Sequence, residues 1–162
     1  MGLIGQVMSA MIDYYAGDAK RINHFLKVYG YAKAIGEAEQ LDDRTQTILE
    51  LSALTHDIGI KNSEKKYDSS AGVYQQLEGP PEARRLLENI CVDPTMTARI
   101  CWLIERHHTY TNIQGRDYQI LVEADFLVNI DEEKLSVSAI ESILKKIFKT
   151  ETGTRFLRTV FL

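Results

Sequence analysis

The ten residues "ALTHDIGIKN", Ala53 to Asn62, carry the reading on which the fold depends. A helical apolar pattern arrives from the left and meets Gly59, and just before it stops His56 and Asp57 stand side by side. Such a pair can be a metal grip, a catalytic dyad or an ordinary helix terminus. A carboxylate at a helix C-terminus is opposed by the macrodipole, so Asp57 wants a cation nearby, and a metal ion supplies one.

Working outward, the chain of 162 residues is long enough for one domain with a real core, spanning 1–162. Charged residues at 26% and hydrophobic residues at 44% fit a soluble globular protein. The net charge is −4, and the basic runs are no longer than pairs such as Lys65-Lys66 and Lys145-Lys146. No extended face attracts a phosphate backbone, so nucleic acid is excluded as a partner, whereas a small phosphorylated ligand needs only a few local cations. Cys91 and Cys101 form no framework and read as buried thiols in a reducing compartment. The opening "MGLIGQVMSAMIDYYAG" lacks a positive n-region and includes Asp13, so it is not a signal peptide, and Gln6 spoils a myristoylation signal. No apolar run is long enough to span a membrane, and the expected location is the cytoplasm.

Three prolines and the rarity of strict alternation predict helices almost throughout, an all-α fold. The expected helices cover 3–15 and 18–35, the latter capped by Asp18 and ended by Gly36. A capping box at Asp43 and Gln46 opens another that closes at Gly59. Residues 60–79 read as a polar loop, and Pro80-Pro81 starts a helix to Ile90. Asp93-Pro94 launches one to His108, and further helices cover 118–130 and 138–148. The last residues hold an apolar cluster around Phe156, Leu157, Val160 and Phe161 that can pack on the domain or, in a homodimer, on a second subunit.

Helical projection then isolates polar groups on apolar stripes. His107 continues the stripe of Ile100, Leu103 and Ile104; Asp125 joins Leu121, Val122 and Val128; His24 lines up with Val28, Tyr31 and Ile35; His56 follows Leu49 and Ala53. Taken singly, an inward histidine is commonly a hydrogen-bonded core residue. Taken together, an inward carboxylate and inward imidazoles from four helices are better explained by one shared ion. The competing reading is a helical core without metal, its histidines hydrogen-bonded internally.

The ordered series resembles the HD-domain superfamily of metal-dependent phosphohydrolases. His24 on an early helix, "HDIG" at 56–59, "ERHHTY" at 105–110 and "VEADFLVNI" around Asp125 carry the resemblance, which spans about Arg21 to Ile130 and leaves 131–162 as a C-terminal helical segment. It implies a single-domain HD-type helical bundle with a metal site among its core helices. Its divalent transition metal (Mn, Fe, Co, Ni or Zn) would be held by His24, His56, Asp57 and Asp125, with open positions for a water and a phosphate oxygen. Where dinuclear relatives place a further histidine this chain has Glu78, so a second ion would rest on Glu78, His107 and His108. Where mononuclear nucleotidase-like members carry an acid one turn past the pair this chain has Ile60, so a general base would come from Glu64 or Asp68 on the loop. Lys61 and Arg106 are the expected phosphate contacts, with His107 and His108 beside them; Lys65, Lys66, Arg84 and Arg85 are weaker choices, and Trp102 could stack a nucleobase. The implied activity is hydrolysis of a small phosphomonoester or nucleotide. The alternative is a non-catalytic module that binds a nucleotide or signal ligand around a structural metal.

Overall fold

The computed structural model describes all 162 residues and consists of nine helices without a strand. They are α1 (Leu3–Tyr14), α2 (Ala19–Ala38), α3 (Asp43–Thr55), α4 (Ile60–Tyr67), α5 (Gly72–Asn89), α6 (Pro94–Arg106), α7 (Arg116–Glu132), α8 (Val137–Lys146) and α9 (Glu151–Phe161). The all-α expectation is met. No helix is long and apolar enough to cross a membrane.

Two helices are central. Every residue of α3 from Ile48 to Thr55 is buried, and α7 is buried along most of its length. Helices covered on all sides lose the one-sided stripe of a surface helix, because no face is left for solvent. α2 packs on α3 and α7, α5 packs on α6, and α3 touches both α6 and α7. The core runs between them through Phe25, Leu49, Leu54, Ile58, Leu103, Ile104 and Tyr118. Side-chain caps fix where several helices begin: Asp18 accepts from the Arg21 N–H, Asp93 from those of Thr95 and Met96, with Pro94 at the first turn.

The structure departs from the sequence reading at several places, one of them Cys91, which is exposed just after α5 rather than buried like Cys101. Residues 60–79 are not a loop: α4 and the first turns of α5 occupy them, with only 68–71 between, where Asp68 takes a left-handed conformation. Pro80 and Pro81 lie inside α5 rather than at its start. They deprive the carbonyls of Gln76 and Leu77 of intrahelical donors, at a point where Leu77 faces solvent. Gly36 does not end α2. It lies within the helix where a Cβ would meet the Gln46 side chain at 2.2 Å, so its role is close packing against α3. Asp42, not Asp43, caps α3, and Gln46 donates to Glu50 and to the Lys33 carbonyl instead of closing a capping box.

The apolar C-terminal cluster belongs to α9, within the expected C-terminal helical segment, and it packs on α2, α7 and α8 with Leu157 buried. A buried carboxylate ties it down. Glu123 on α7 accepts from the N–H groups of Lys149 and Thr150 at 2.7 and 3.0 Å, and from Gln119 Nε2 at 2.7 Å. Glu123→Ala strips several part-buried donors of their shared acceptor, and an unpaired donor costs about 1–3 kcal/mol where water cannot replace it. It should therefore lower the unfolding free energy by about 3 kcal/mol in urea titration; a change below about 1 kcal/mol would refute the role.

Candidate metal centre

α3 ends at Thr55, and two tight turns carry the chain round into α4: the Ile58 N–H donates to Thr55 O at 3.0 Å and the Ile60 N–H to Asp57 O at 3.1 Å. Ile58 is driven into the core, which leaves His56 and Asp57 on the inner side of the turn. The Tyr15 hydroxyl donates to the Asp57 carbonyl at 2.8 Å, clamping the turn from α1. Gly59 makes the clamp possible on the other side, because a Cβ there would lie 2.7 Å from the backbone nitrogen of Gly79 in α5.

Four side chains converge at this turn. His24 Nε2 is 3.3 Å from His56 Nε2, 3.2 Å from Asp57 Oδ2 and 3.2 Å from Asp125 Oδ1. His56 Nε2 is 3.3 Å from Asp57 Oδ2 and 3.4 Å from Asp125 Oδ1. Ligands about 2.1 Å from one ion stand roughly 3.0 Å apart at right angles and about 3.4 Å apart at the tetrahedral angle. The observed separations fall within that span. Asp125 Oδ1 is buried with no hydrogen-bond partner, a cost that an ion would remove. The donor set fits a divalent transition metal.

The outer partners fit as well. The Nδ1–H of His24 donates to Glu132 at 2.9 Å, that of His56 to Ala53 O at 2.8 Å, and that of His107 to Ile104 O at 2.7 Å, so all three turn Nε2 inward. Without an ion, protons take its place. Burial opposes charge on His24, but Asp125 and Asp57 outweigh it and raise its pKa to about 10. Burial also resists ionisation of Asp57, yet His56, His107 and His24 hold it well below the usual carboxylate range. Glu132 is the positioning partner of His24. Glu132→Ala should weaken metal binding about 10- to 100-fold, read by competition with a metal chelator; unchanged affinity would refute the role.

A second group shares Asp57. Its Oδ1 lies 3.5 Å from His107 Nε2, a buried atom without a hydrogen-bond partner, and ligand atoms of Asp57, His107 and His108 lie within 4.8 Å of one another. Burial and the neighbouring His107 push His108 down to about 4, and its Nε2 is 3.2 Å from Gln75 Oε1. Glu78 is not brought to this group. It accepts from Lys66 at 2.8 Å and Tyr67 at 3.0 Å, and Gln75, one helical turn earlier, faces His108 instead.

The other expected residues lie away from the pocket that opens onto the first group, which has a volume of about 440 Å³. Lys61 turns to Tyr14, donating to its carbonyl at 2.9 Å. Arg106 lies over the Trp102 ring, 4.3 Å from its centroid. Glu64 pairs with Arg21, and Asp68 is exposed at the end of α4. The cations that do line the pocket are Lys20 and Arg21, joined by Asn129, Glu132 and Glu133. The sequence held a signal for them: Arg21 is one turn before His24, and Asn129 one turn after Asp125, hence on the same helical faces.

A family model of the HD domain matches residues 21–149. A search of curated proteins found no match. A crystal structure described as a predicted HD superfamily hydrolase from an uncultured Thermotogales bacterium is similar, with a TM-score of 0.68 and 22% identity, covering 96% of this chain and 83% of the other. At that identity the likeness is one of fold.

Proposed function

Because the chain belongs to the HD-domain family, we propose that it is a metal-dependent phosphohydrolase acting on a small phosphomonoester. The observation that carries the reading is the convergence of His24, His56, Asp57 and Asp125, three of which (His24, Asp57 and Asp125) line an open pocket that also holds Lys20 and Arg21. A divalent ion held by those four residues supplies a Lewis acid that lowers the pKa of water and offsets charge developing on phosphorus. The chain's own residues do the rest. Asp57 and Asp125 balance the ion's two charges, and Glu132 keeps the His24 ring aimed. Balanced charge at the ion leaves a phosphate dianion to the flanking cations. Lys20, which enters no ion pair, is free to meet it, and Arg21 would exchange its bonds to Asp18 and Glu64 for phosphate oxygens. Arg21 thus takes the part expected of Lys61 and Arg106.

A second reading is favoured by Ile60, the one hydrophobic residue in the pocket wall, standing where an acid would serve as general base. It is a non-catalytic module that binds its ligand around a structural metal. Release of inorganic phosphate from a panel of phosphomonoesters, with Mn²⁺, Co²⁺ or Ni²⁺ added to chelator-treated protein, separates the two. Metal-dependent release supports the enzyme; tight ligand binding without any release supports the module.

A further inference from the structure

We propose that the ligand of this pocket is a hydroxylated, non-aromatic phosphomonoester, a sugar or polyol phosphate, rather than a nucleotide. The inference rests on the phosphohydrolase reading and narrows its substrate.

Of the 13 residues that line the pocket, Ile60 alone is hydrophobic and none is Phe, Tyr or Trp. A nucleobase is an apolar plane that binds by stacking or by burial against apolar side chains, and the only rings in this wall are the imidazoles of His24, turned to the proposed metal, and His108, held by Gln75. Two aromatic residues outside the wall have partners of their own. Trp102 has the guanidinium groups of Arg99 and Arg106 over its ring, 4.4 and 4.3 Å from its centroid, and Tyr110 packs against Phe126. The volume of about 440 Å³ admits either class of ligand, so the lining is what discriminates.

That lining suits hydroxyl groups. Asn129 lies one turn beyond Asp125 on α7, and Glu133 one turn further, so a row of polar groups leads outward from the proposed metal ligands. Ser70, from the α4–α5 connection, also lines the pocket. The Asn129 amide and the Glu133 carboxylate make no side-chain hydrogen bond or ion pair within the protein, so their capacity is left for a ligand. An amide that donates and accepts, beside a carboxylate that only accepts, matches neighbouring hydroxyls, each of which can do both. Glu132 and Glu133 also oppose a second or third phosphate at this rim, which favours a single phosphate group.

The test uses the metal-loaded full chain and two kinds of readout. The first is calorimetric binding of non-hydrolysable phosphonate analogues of glucose 6-phosphate and of adenosine 5′-monophosphate. The second is phosphate release from a panel of sugar, polyol and nucleoside monophosphates. The sugar phosphonate should bind at least about tenfold tighter, and the sugar or polyol esters should have kcat/KM higher by a similar factor. Asn129→Ala should narrow both ratios about tenfold, with an unfolding midpoint measured alongside to exclude general damage. Tighter binding and faster turnover of the nucleotide would overturn the proposal and leave the phosphohydrolase reading standing. Selective binding of the sugar phosphonate without release from any ester would overturn the phosphohydrolase reading and leave the ligand class standing. Equal binding of both analogues, unaffected by Asn129→Ala, would overturn the proposal.

Discussion

Asp57→Ala should leave the purified protein with less than about a tenth of an equivalent of bound metal and remove metal-dependent phosphate release. The effect is expected to exceed that of any other single ligand because Asp57 faces two groups. Its Oδ2 stands 3.2–3.3 Å from the Nε2 atoms of His24 and His56, and its Oδ1 stands 3.5 Å from that of His107. The change also removes a buried counter-charge, and breaking a buried ion pair costs about 3–5 kcal/mol. That cost has a defined pH dependence in the metal-free protein. His24 is raised from 6.5 to about 10, so its contribution is complete below 6.5 and is lost as pH rises towards 10. The midpoint difference between parent and Asp57→Ala, both stripped with chelator, should be largest near pH 6 and shrink towards pH 10. A difference that grows with pH, or metal retained at full stoichiometry, would contradict this account of the site.

Gly59→Ala is the second change with a large expected effect, although it touches no ligand. The added carbon would lie 2.7 and 2.8 Å from Gly79 N and Cα, and 3.1 Å from Gln75 O, all backbone atoms of α5. Backbone cannot swing aside as a side-chain tip can, so the turn carrying His56 and Asp57 must separate from α5. Overpacking of this kind costs about 1–3 kcal/mol. Displacement of a catalytic group by about 1 Å can lower turnover about 10²-fold. Gly79→Ala is the informative partner, since its nearest neighbour is Ile104 Cγ2 at 2.7 Å, a single buried side-chain methyl rather than several backbone atoms. The expected order of unfolding midpoints is parent, then Gly79→Ala, then Gly59→Ala; the reverse order of the two variants would show that the backbone contact is not what limits the turn.

These same glycines mark the limit of what could be read from the chain. The four residues that converge were legible because each lies on a helix whose apolar stripe points to the core, and helical phase is local information. The helix through Gly79, Pro80 and Pro81 was not legible, since those residues normally interrupt helices. Gly79 answers to the contact with Gly59, twenty positions away, and the prolines follow where Leu77 faces solvent. A loop reading of 60–67 discards the phase of α4, and with it the directions of Lys61 and Glu64. Lys61 in fact turns towards the end of α1, and Glu64 towards Arg21. Asn129 and Arg21 lie one turn from Asp125 and His24, so the same helical phase points to them.

The buried Glu123 carboxylate has a practical consequence for fragments of this chain. Residues 21–149 are the part that resembles the family, yet a fragment cut there loses Thr150 and all of α9. Two of the groups that satisfy Glu123, the Thr150 N–H and hydroxyl, would go with it, while the charge stayed inside. At the other end Tyr15, which clamps the Asp57 carbonyl, would also be gone. Family resemblance and cooperative folding therefore have different borders in this molecule, and a fragment trimmed to the former should be degraded faster by protease than the whole chain.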